Sequence, residues 1–305
     1  MNVLSLFDGI SCSRIALENL GIKVDNYFCS EIEESCIDVS KKHYPDNIFL
    51  GDVTKINPKK LPKIDLLIGG SPCQDLSLAF KGKGLEGSRS SLFFDYVRLR
   101  DKLKPTYFLL ENVKNKYRDL MDYEIGVNGI EINSMYFSAQ SRPRCYWTNI
   151  DVAPVKQENK KTIADILEKS VDPYFYFDKK IYKSILKEID QVDAANYFFG
   201  INRLAIISRD FIKDNERQRR VYSIMGKSPT LLARSDTPKI LVGDGIRKLT
   251  PLECERLQCI PDNFTAGQRN TSRYKMIGNG FTVSVIEHLL KNIKKKKFVQ
   301  TKLDI

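Results

Sequence analysis

Short apolar runs alternate with helix-period segments over the first 150 residues, and this alternation constrains the fold more than any other feature. Residues 2–7 (Asn-Val-Leu-Ser-Leu-Phe) read as a buried strand, and a Gly-containing turn leads into a helical segment from about Cys12 to Leu20. A second strand ends near Glu31 and a third candidate ends at Gly51-Asp52. Further strand-like runs fall at residues 64–68, 106–110 and 146–150, with helical patterns at 33–43 and 91–103 between them. Such a pattern predicts an α/β fold: a doubly wound, mostly parallel sheet covered on both faces. From about Asp151 the alternation gives way to Lys-rich, Tyr/Phe-rich and irregular sequence, which predicts a smaller irregular domain. The apolar helical pattern at 283–293 is expected to pack back on the first domain.

A chain of 305 residues has room for one large domain carrying a smaller one, with a sizeable core. No apolar run approaches the length of a bilayer span, and the N-terminal stretch lacks a basic segment and meets Asp8 too soon for a secretory signal. A soluble, cytoplasmic protein without membrane contact is therefore expected. The seven cysteines form no Cys-x-x-Cys pair, and the two histidines, His43 and His288, are far apart, so no metal site is expected. A formal charge of +11 favours an anionic partner. Part of that excess is the run Lys294 to Lys297, which suits a solvated helix end or a specific contact.

Candidate site residues gather where strands end. Asp8 follows the first strand, Glu31 closes the second 23 residues later, and Asp52 closes the third candidate. Ligands of doubly wound folds bind at these carboxyl ends, where an acidic residue after the second strand suits ribose hydroxyls. Asp52 could accept from an adenine amino group. Plain turns, or a nicotinamide enzyme, also fit these positions, but the full Gly-x-Gly-x-x-Gly signature is missing, which suits a cofactor without phosphates better. Gly278-Asn279-Gly280 would let backbone approach a ligand, or is a plain turn.

The strand at 64–68 runs into Gly69-Gly70-Ser71-Pro72-Cys73-Gln74, where glycines allow a tight turn and Pro72 stiffens the backbone before the thiol. A thiolate there is a strong nucleophile if positive charge or backbone donors lower its pKa; a buried, inert cysteine is the alternative. Glu111-Asn112-Val113 follows the next strand, so Glu111 should emerge at the same edge, either as a proton donor to a ring nitrogen or as a helix cap. Arg142 and Arg144, one residue apart in an extended segment, point to the same side and could hold a carbonyl or phosphate, or form surface ion pairs.

Taken in order, Phe7-Asp8-Gly9, Glu31, Asp52, Pro72-Cys73-Gln74, Glu111-Asn112-Val113, Gln140-x-Arg142-x-Arg144, the segment 247–261 and Gly278-Asn279-Gly280 resemble the motifs of the DNA cytosine-5 methyltransferase family. Phe7-Asp8-Gly9-Ile10-Ser11 departs from the Phe-Ala-Gly-x-Gly-Gly pattern usual in bacterial members and is closer to the vertebrate de novo enzymes. The resemblance implies an S-adenosylmethionine-dependent enzyme acting on a flipped-out cytosine in double-stranded DNA. Cys73 would attack C6, Glu111 would engage N3, and Arg142 and Arg144 would complete the catalytic set. The cofactor would contact Phe7, Asp8, Gly9, Glu31, Ile32, Asp52, Val53, Pro72, Leu92 and Asn279. The loop from Gln74 to Arg89 would close over the target, with Gln74, Ser77 and Arg89 touching DNA.

The resemblance also places catalysis in residues 1–150 and 275–305 and target recognition in residues 151–274, in a chain expected to act as a monomer. Residues 201–235 carry eight Lys/Arg against three Asp/Glu, which suits a DNA groove. Arg220, Thr230 and Leu231 are the recognition candidates there. Arginine can pair bidentately with guanine, although a phosphate contact or plain surface charge serves Arg220 as well. A transfer-RNA methyltransferase with the same chemistry is the nearest rival, and a catalytically silent DNA-binding relative is the other.

Overall fold

The computed structural model describes residues 1–72, 91–155, 159–189 and 200–293. Cys73, Gln74, Ser77 and Arg89, with the loop they belong to, lie outside the described residues, as does the run Lys294 to Lys297.

Among the described residues the larger sheet has seven strands: β1 (Asn2–Leu6), β2 (Asn26–Ser30), β3 (Ile48–Phe49), β4 (Leu66–Gly70), β5 (Tyr107–Val113), β6 (Ile130–Asn133) and β7 (Pro143–Thr148). Their spatial order is β3-β2-β1-β4-β5-β7-β6. The first five pair in parallel, and β7 runs antiparallel to both β5 and β6. Chain direction across the sheet reverses between β1 and β4, so the carboxyl ends of β1, β2, β4 and β5 open on one crevice, as the doubly wound expectation requires.

Two-residue periodicity distributes the strand side chains between two cores. Val3, Leu66, Ile68 and Leu109 face one, shared with Ile15, Ala16 and Leu17 of α1 (Cys12–Asn19). Leu4, Leu67, Phe108 and Leu110 face the other, shared with Phe93, Tyr96 and Leu99 of α3 (Ser91–Leu103). The connection between β2 and β3 is α2 (Glu34–His43), and that between β5 and β6 is α4 (Arg118–Ile125).

The second half of the chain is more regular than its sequence suggests. Strands β8 (Arg203–Ile206), β9 (Arg220–Ser223), β10 (Lys239–Val242) and β11 (Gly245–Lys248) form a sheet ordered β11-β10-β9-β8. Four residues are too few for a periodic signal to stand out. Ile181 and Ile185 of α5 (Lys179–Ile189) cover it, packing on Ala205, Ile207, Val221 and Ile246. The charged helical turn α6 (Glu216–Arg219) leads into β9.

The chain rejoins the large core before residue 275. Thr250 and Glu253 form a capping box that starts α7 (Pro251–Leu257), and Glu253 is also locked bidentately to the buried Arg247, at 2.6 and 2.7 Å. Cys254 and Leu257 then join the core of β1, together with Tyr274 and Ile277 of α8 (Asn270–Asn279) and Val283, Ile286 and Leu289 of α9 (Val283–Leu290). Among the described residues no helix is long and apolar enough to cross a membrane.

Candidate active site

At the end of β1 the backbone turns through left-handed conformations at Phe7, Gly9 and Ser11, with φ of 56°, 59° and 60°. Two of these are not glycine, so the surroundings must hold the turn against its preference. The Asp8 carboxylate does so from inside. Its Oδ1 accepts from Ser5 Oγ at 2.5 Å and Tyr27 OH at 2.6 Å, and its Oδ2 accepts from Ser11 Oγ at 2.6 Å. Its amide donates to the Ser30 carbonyl and its carbonyl accepts from the Ser11 amide. Burial pushes the Asp8 carboxyl up to about 6, a rise that the three hydroxyl bonds only partly reverse. Asp8, expected at the cofactor edge, is thus 6% exposed, with its carboxylate turned into the protein.

What the turn presents is the Gly9 amide, which donates to Glu31 Oε2 at 2.8 Å. Glu31 Oε1 accepts from the amides of Ile32 and Glu33 at 2.7 and 2.9 Å, fixing this carboxylate at the mouth of β2. Beside it Ile32 leaves 74% of its surface open. Ser30 Oγ donates to the Gly51 carbonyl at 2.6 Å, which ties Asp52 to the same edge. The amide and hydroxyl of Thr54 both donate to Asp52, holding its carboxyl below the usual range. The Val53 side chain is buried in the core, contrary to a side-chain contact, whereas Asn279 is exposed at the end of α8 and Leu92 half-buried at the start of α3.

On the neighbouring strands, Gly70 of β4 lies opposite Glu111 of β5. Asn112 Nδ2 donates to the carbonyl and hydroxyl of Ser71 at 3.1 and 3.0 Å, anchoring the chain as it leaves β4 toward the exposed Pro72. Glu111 Oε1 meets Arg144 Nε at 2.8 Å, with the two side chains 15% and 13% exposed. Glu111 sits within β5, seven residues before α4 begins at Arg118, so it does not cap that helix. A Cβ at Gly70 would stand 3.0 Å from Glu111 Oε2 and 2.8 Å from the Phe281 ring, so the absence of a side chain there leaves the carboxylate its space.

Arg142 goes elsewhere. It is buried, and its guanidinium donates to the carbonyls of Leu231 at 3.0 Å, Gly278 at 2.9 Å and Gly280 at 3.2 Å. Burial, reinforced by the neighbouring Arg144 charge, lowers its pKa to about 10. Of the expected pair, Arg144 meets Glu111, while the Arg142 guanidinium binds backbone carbonyls.

Sequence reasoning missed two residues at this joint. The buried Gln258 donates to the carbonyls of Ile277 and Gly280, both at 3.0 Å, and accepts from Gln140 and Thr282. Phe281 walls the Glu111 pocket. A glutamine between Leu257 and Cys259, directly after α7, and an aromatic directly after Gly280 were the available signals.

The recognition candidates separate in the same way. Leu231 is 3% exposed, with its amide held by Gln140 Oε1 at 2.8 Å, so its side chain is core rather than DNA surface. The hydroxyl of Thr230 is donated to the Ser141 carbonyl at 2.8 Å. Arg220 is half-buried and pairs with Glu216 at 2.8 Å, beside Arg217, Tyr222 and Thr230 in a surface cleft of the small sheet.

A family model described as C-5 cytosine-specific DNA methylase matches residues 1–119 and 132–295. The type II methyltransferase M1.ScrFI of Lactococcus lactis subsp. cremoris is 30% identical over 322 residues, which cover 97% of this chain and 79% of that one. The type II methyltransferase M.HhaI of Haemophilus parahaemolyticus is 27% identical over 320 residues, covering 96% and 94%. A crystal structure of a Spodoptera frugiperda DNMT2 mutant shares the fold, with a TM-score of 0.68 at 17% identity over 95% of this chain and 98% of that one.

Proposed function

The chain belongs to the C-5 cytosine-specific DNA methylase family, and from that premise we propose that Cys73, Glu111 and Arg144 carry the chemistry and the Gly9–Glu31–Asp52 edge holds the cofactor. The protein is a DNA (cytosine-5) methyltransferase, and enzymes of its family draw the methyl group from S-adenosylmethionine. The Glu111–Arg144 pair carries this assignment: it stands beside Gly70, the last residue of the strand that runs on to Pro72 and Cys73.

A cytosine must leave the base stack before a thiol can reach C6, at about a few kcal/mol. The Cys73 thiolate then bonds to C6, which moves electron density toward C5. Glu111 gives a proton to N3 and so neutralises the charge that addition creates. Arg144, bound to Glu111 through Nε, fixes that carboxyl group and has further N–H donors for the base carbonyl. S-adenosylmethionine, when bound, would supply an electrophilic methyl group to C5 and leave as the neutral thioether, while the N3 proton returns to Glu111. Loss of the C5 proton to a base then re-forms the C5–C6 double bond as the Cys73 thiolate leaves.

The cofactor edge fits a neutral nucleoside better than a phosphate. Two carboxylates, Glu31 and Asp52, stand where hydroxyl and amino groups would be read, and the open face of Ile32 offers an apolar seat for an adenine ring. Residues 1–150 with 275–305 are proposed as the catalytic part, and residues 151–274, with their own sheet, as the part that reads the DNA. Both parts lie on one chain, which suits action as a monomer.

Incubation with duplex DNA containing 5-fluorocytosine tests the assignment, because fluorine at C5 blocks the final elimination. A covalent adduct is expected for the native protein and none for Cys73→Ser. A native protein that forms no adduct, or that methylates only transfer RNA, refutes it.

A further inference from the structure

Under the proposed cofactor edge lies a sealed carboxylate that, among the described residues, has no cation in contact with it. Asp8 is held by hydroxyls from three elements: Ser5 of β1, Tyr27 of β2 and Ser11 before α1. Behind Ser11 the hydrogen bonds continue: Asn47 Nδ2 donates to Ser11 Oγ at 3.1 Å and Ser40 Oγ at 2.9 Å, the two hydroxyls are 2.6 Å apart, and Ser11 donates to Asp8. Arg14 Nη1 donates to Asn47 Oδ1 but pairs directly with Asp46 at 2.7 Å, so it reaches Asp8 only through two intermediaries.

We propose that Asp8 is a positioning residue for the cofactor: as an anion it locks the left-handed Phe7–Ser11 turn, which presents the Gly9 amide to Glu31 and so pre-forms the nucleoside seat. This rests on the proposed cofactor site and adds its control. Oδ1 takes two hydroxyl hydrogens and Oδ2 one. A proton on Oδ1 would displace the Ser5 or Tyr27 hydroxyl, and a proton on Oδ2 would turn the Ser11 hydrogen away toward Ser40 Oγ, 2.6 Å from Ser11 Oγ. Either way Asp8 gives up an incoming donor, and the left-handed residues Phe7 and Ser11 lose part of their restraint.

The groups facing Asp8 are Cys12 and Arg14 of α1, Tyr27 and Cys29 of β2, and Glu31 beyond β2. Burial holds the Cys12 and Cys29 thiols and the Tyr27 phenol far up, so these three stay neutral between pH 5 and 8. Asp8, raised by the same burial to about 6, changes charge inside that window. The sign is fixed: the ionised form is the binding form, so affinity is full above pH 6 and falls below it.

The experiment measures dissociation of S-adenosylmethionine by calorimetry without DNA, from pH 5 to 8, alongside steady-state methylation. For the native protein Kd should rise below pH 6 toward about tenfold per pH unit. Asp8→Asn should raise the neutral Kd roughly tenfold and flatten the pH profile, because Glu31 and Arg14 remain in place. Tyr27→Phe, which removes one donor and no charge, should raise Kd less and keep the pH dependence. A Kd for Asp8→Asn that matches the native value and slope overturns the proposal. A native protein that binds no S-adenosylmethionine at all overturns the cofactor assignment as well.

Discussion

The two halves of the crevice each contain a strand-end carboxylate, and they handle it in opposite ways. At the cofactor half, Asp8 is sealed and its charge is met by hydroxyls and a relay from Arg14. At the reactive half, Glu111 keeps 15% of its surface open and is met directly by the Arg144 guanidinium. A hydroxyl cage around a buried anion fixes backbone, because every donor is tied to a different element. A direct ion pair at an open edge fixes one side chain and leaves it in reach of a ligand. On the proposed assignment the first arrangement shapes a site and the second takes part in its chemistry. Burial also makes ionised Asp8 a cost to the fold: with its pKa raised from 3.8 to about 6, its own contribution to stability is full below pH 4 and is lost as pH rises through 6, by roughly 3 kcal/mol in all.

Substitutions that separate the halves sharpen this contrast. The largest effect is expected at the reactive half, where Glu111→Gln should lower kcat by about 10² to 10⁴-fold while S-adenosylmethionine Kd, measured without DNA, stays within a factor of about two. A matching loss of cofactor affinity would mean that the two halves do not work separately. Arg142 touches neither reacting group but joins both sides. Arg142→Ala should therefore cost roughly 3 kcal/mol in denaturant unfolding, since the buried Leu231 and Gly278 carbonyls lose this donor while that of Gly280 keeps only Gln258, and should impair cofactor binding and kcat together. An Arg142→Ala protein of native stability that loses only kcat would instead make Arg142 a catalytic residue. The smallest effect belongs to Arg220, outside both halves. Arg220→Ala should weaken specific DNA binding by about 1–3 kcal/mol and relax the methylated sequence, read by bisulfite sequencing, with kcat on the native site unaltered.

The strands of the large sheet were legible because β1, β2, β4 and β5 are buried on both faces and so read as apolar runs. The strand β7 was placed three residues late, since Pro143 and Arg144 open it and neither resembles a buried strand residue. The four residues of β6, like those of the small sheet, carry too little periodicity to register. Motif order marked the site positions, but depth is not a sequence property. Arg142 and Arg144 look alike in the chain, yet one is buried against backbone and the other ends at a carboxylate. Asp8 had a usable signal in the serines three residues on either side, which place hydroxyls at turn spacing around it.

The joint made by Arg142 and Gln258 has a consequence for how such a protein can change over generations. Its contacts with residues 231, 277, 278 and 280 are all to peptide carbonyls, a group that every amino acid supplies. A new side chain at most of these positions leaves the fastening unaltered. Only Gly278 is held to its identity by space, because a Cβ there would strike the Leu232 backbone. Beyond Gln140 and Thr282, which meet Gln258 by side chain, the fastening is thus indifferent to spelling, and the neighbouring sequence can vary without undoing it.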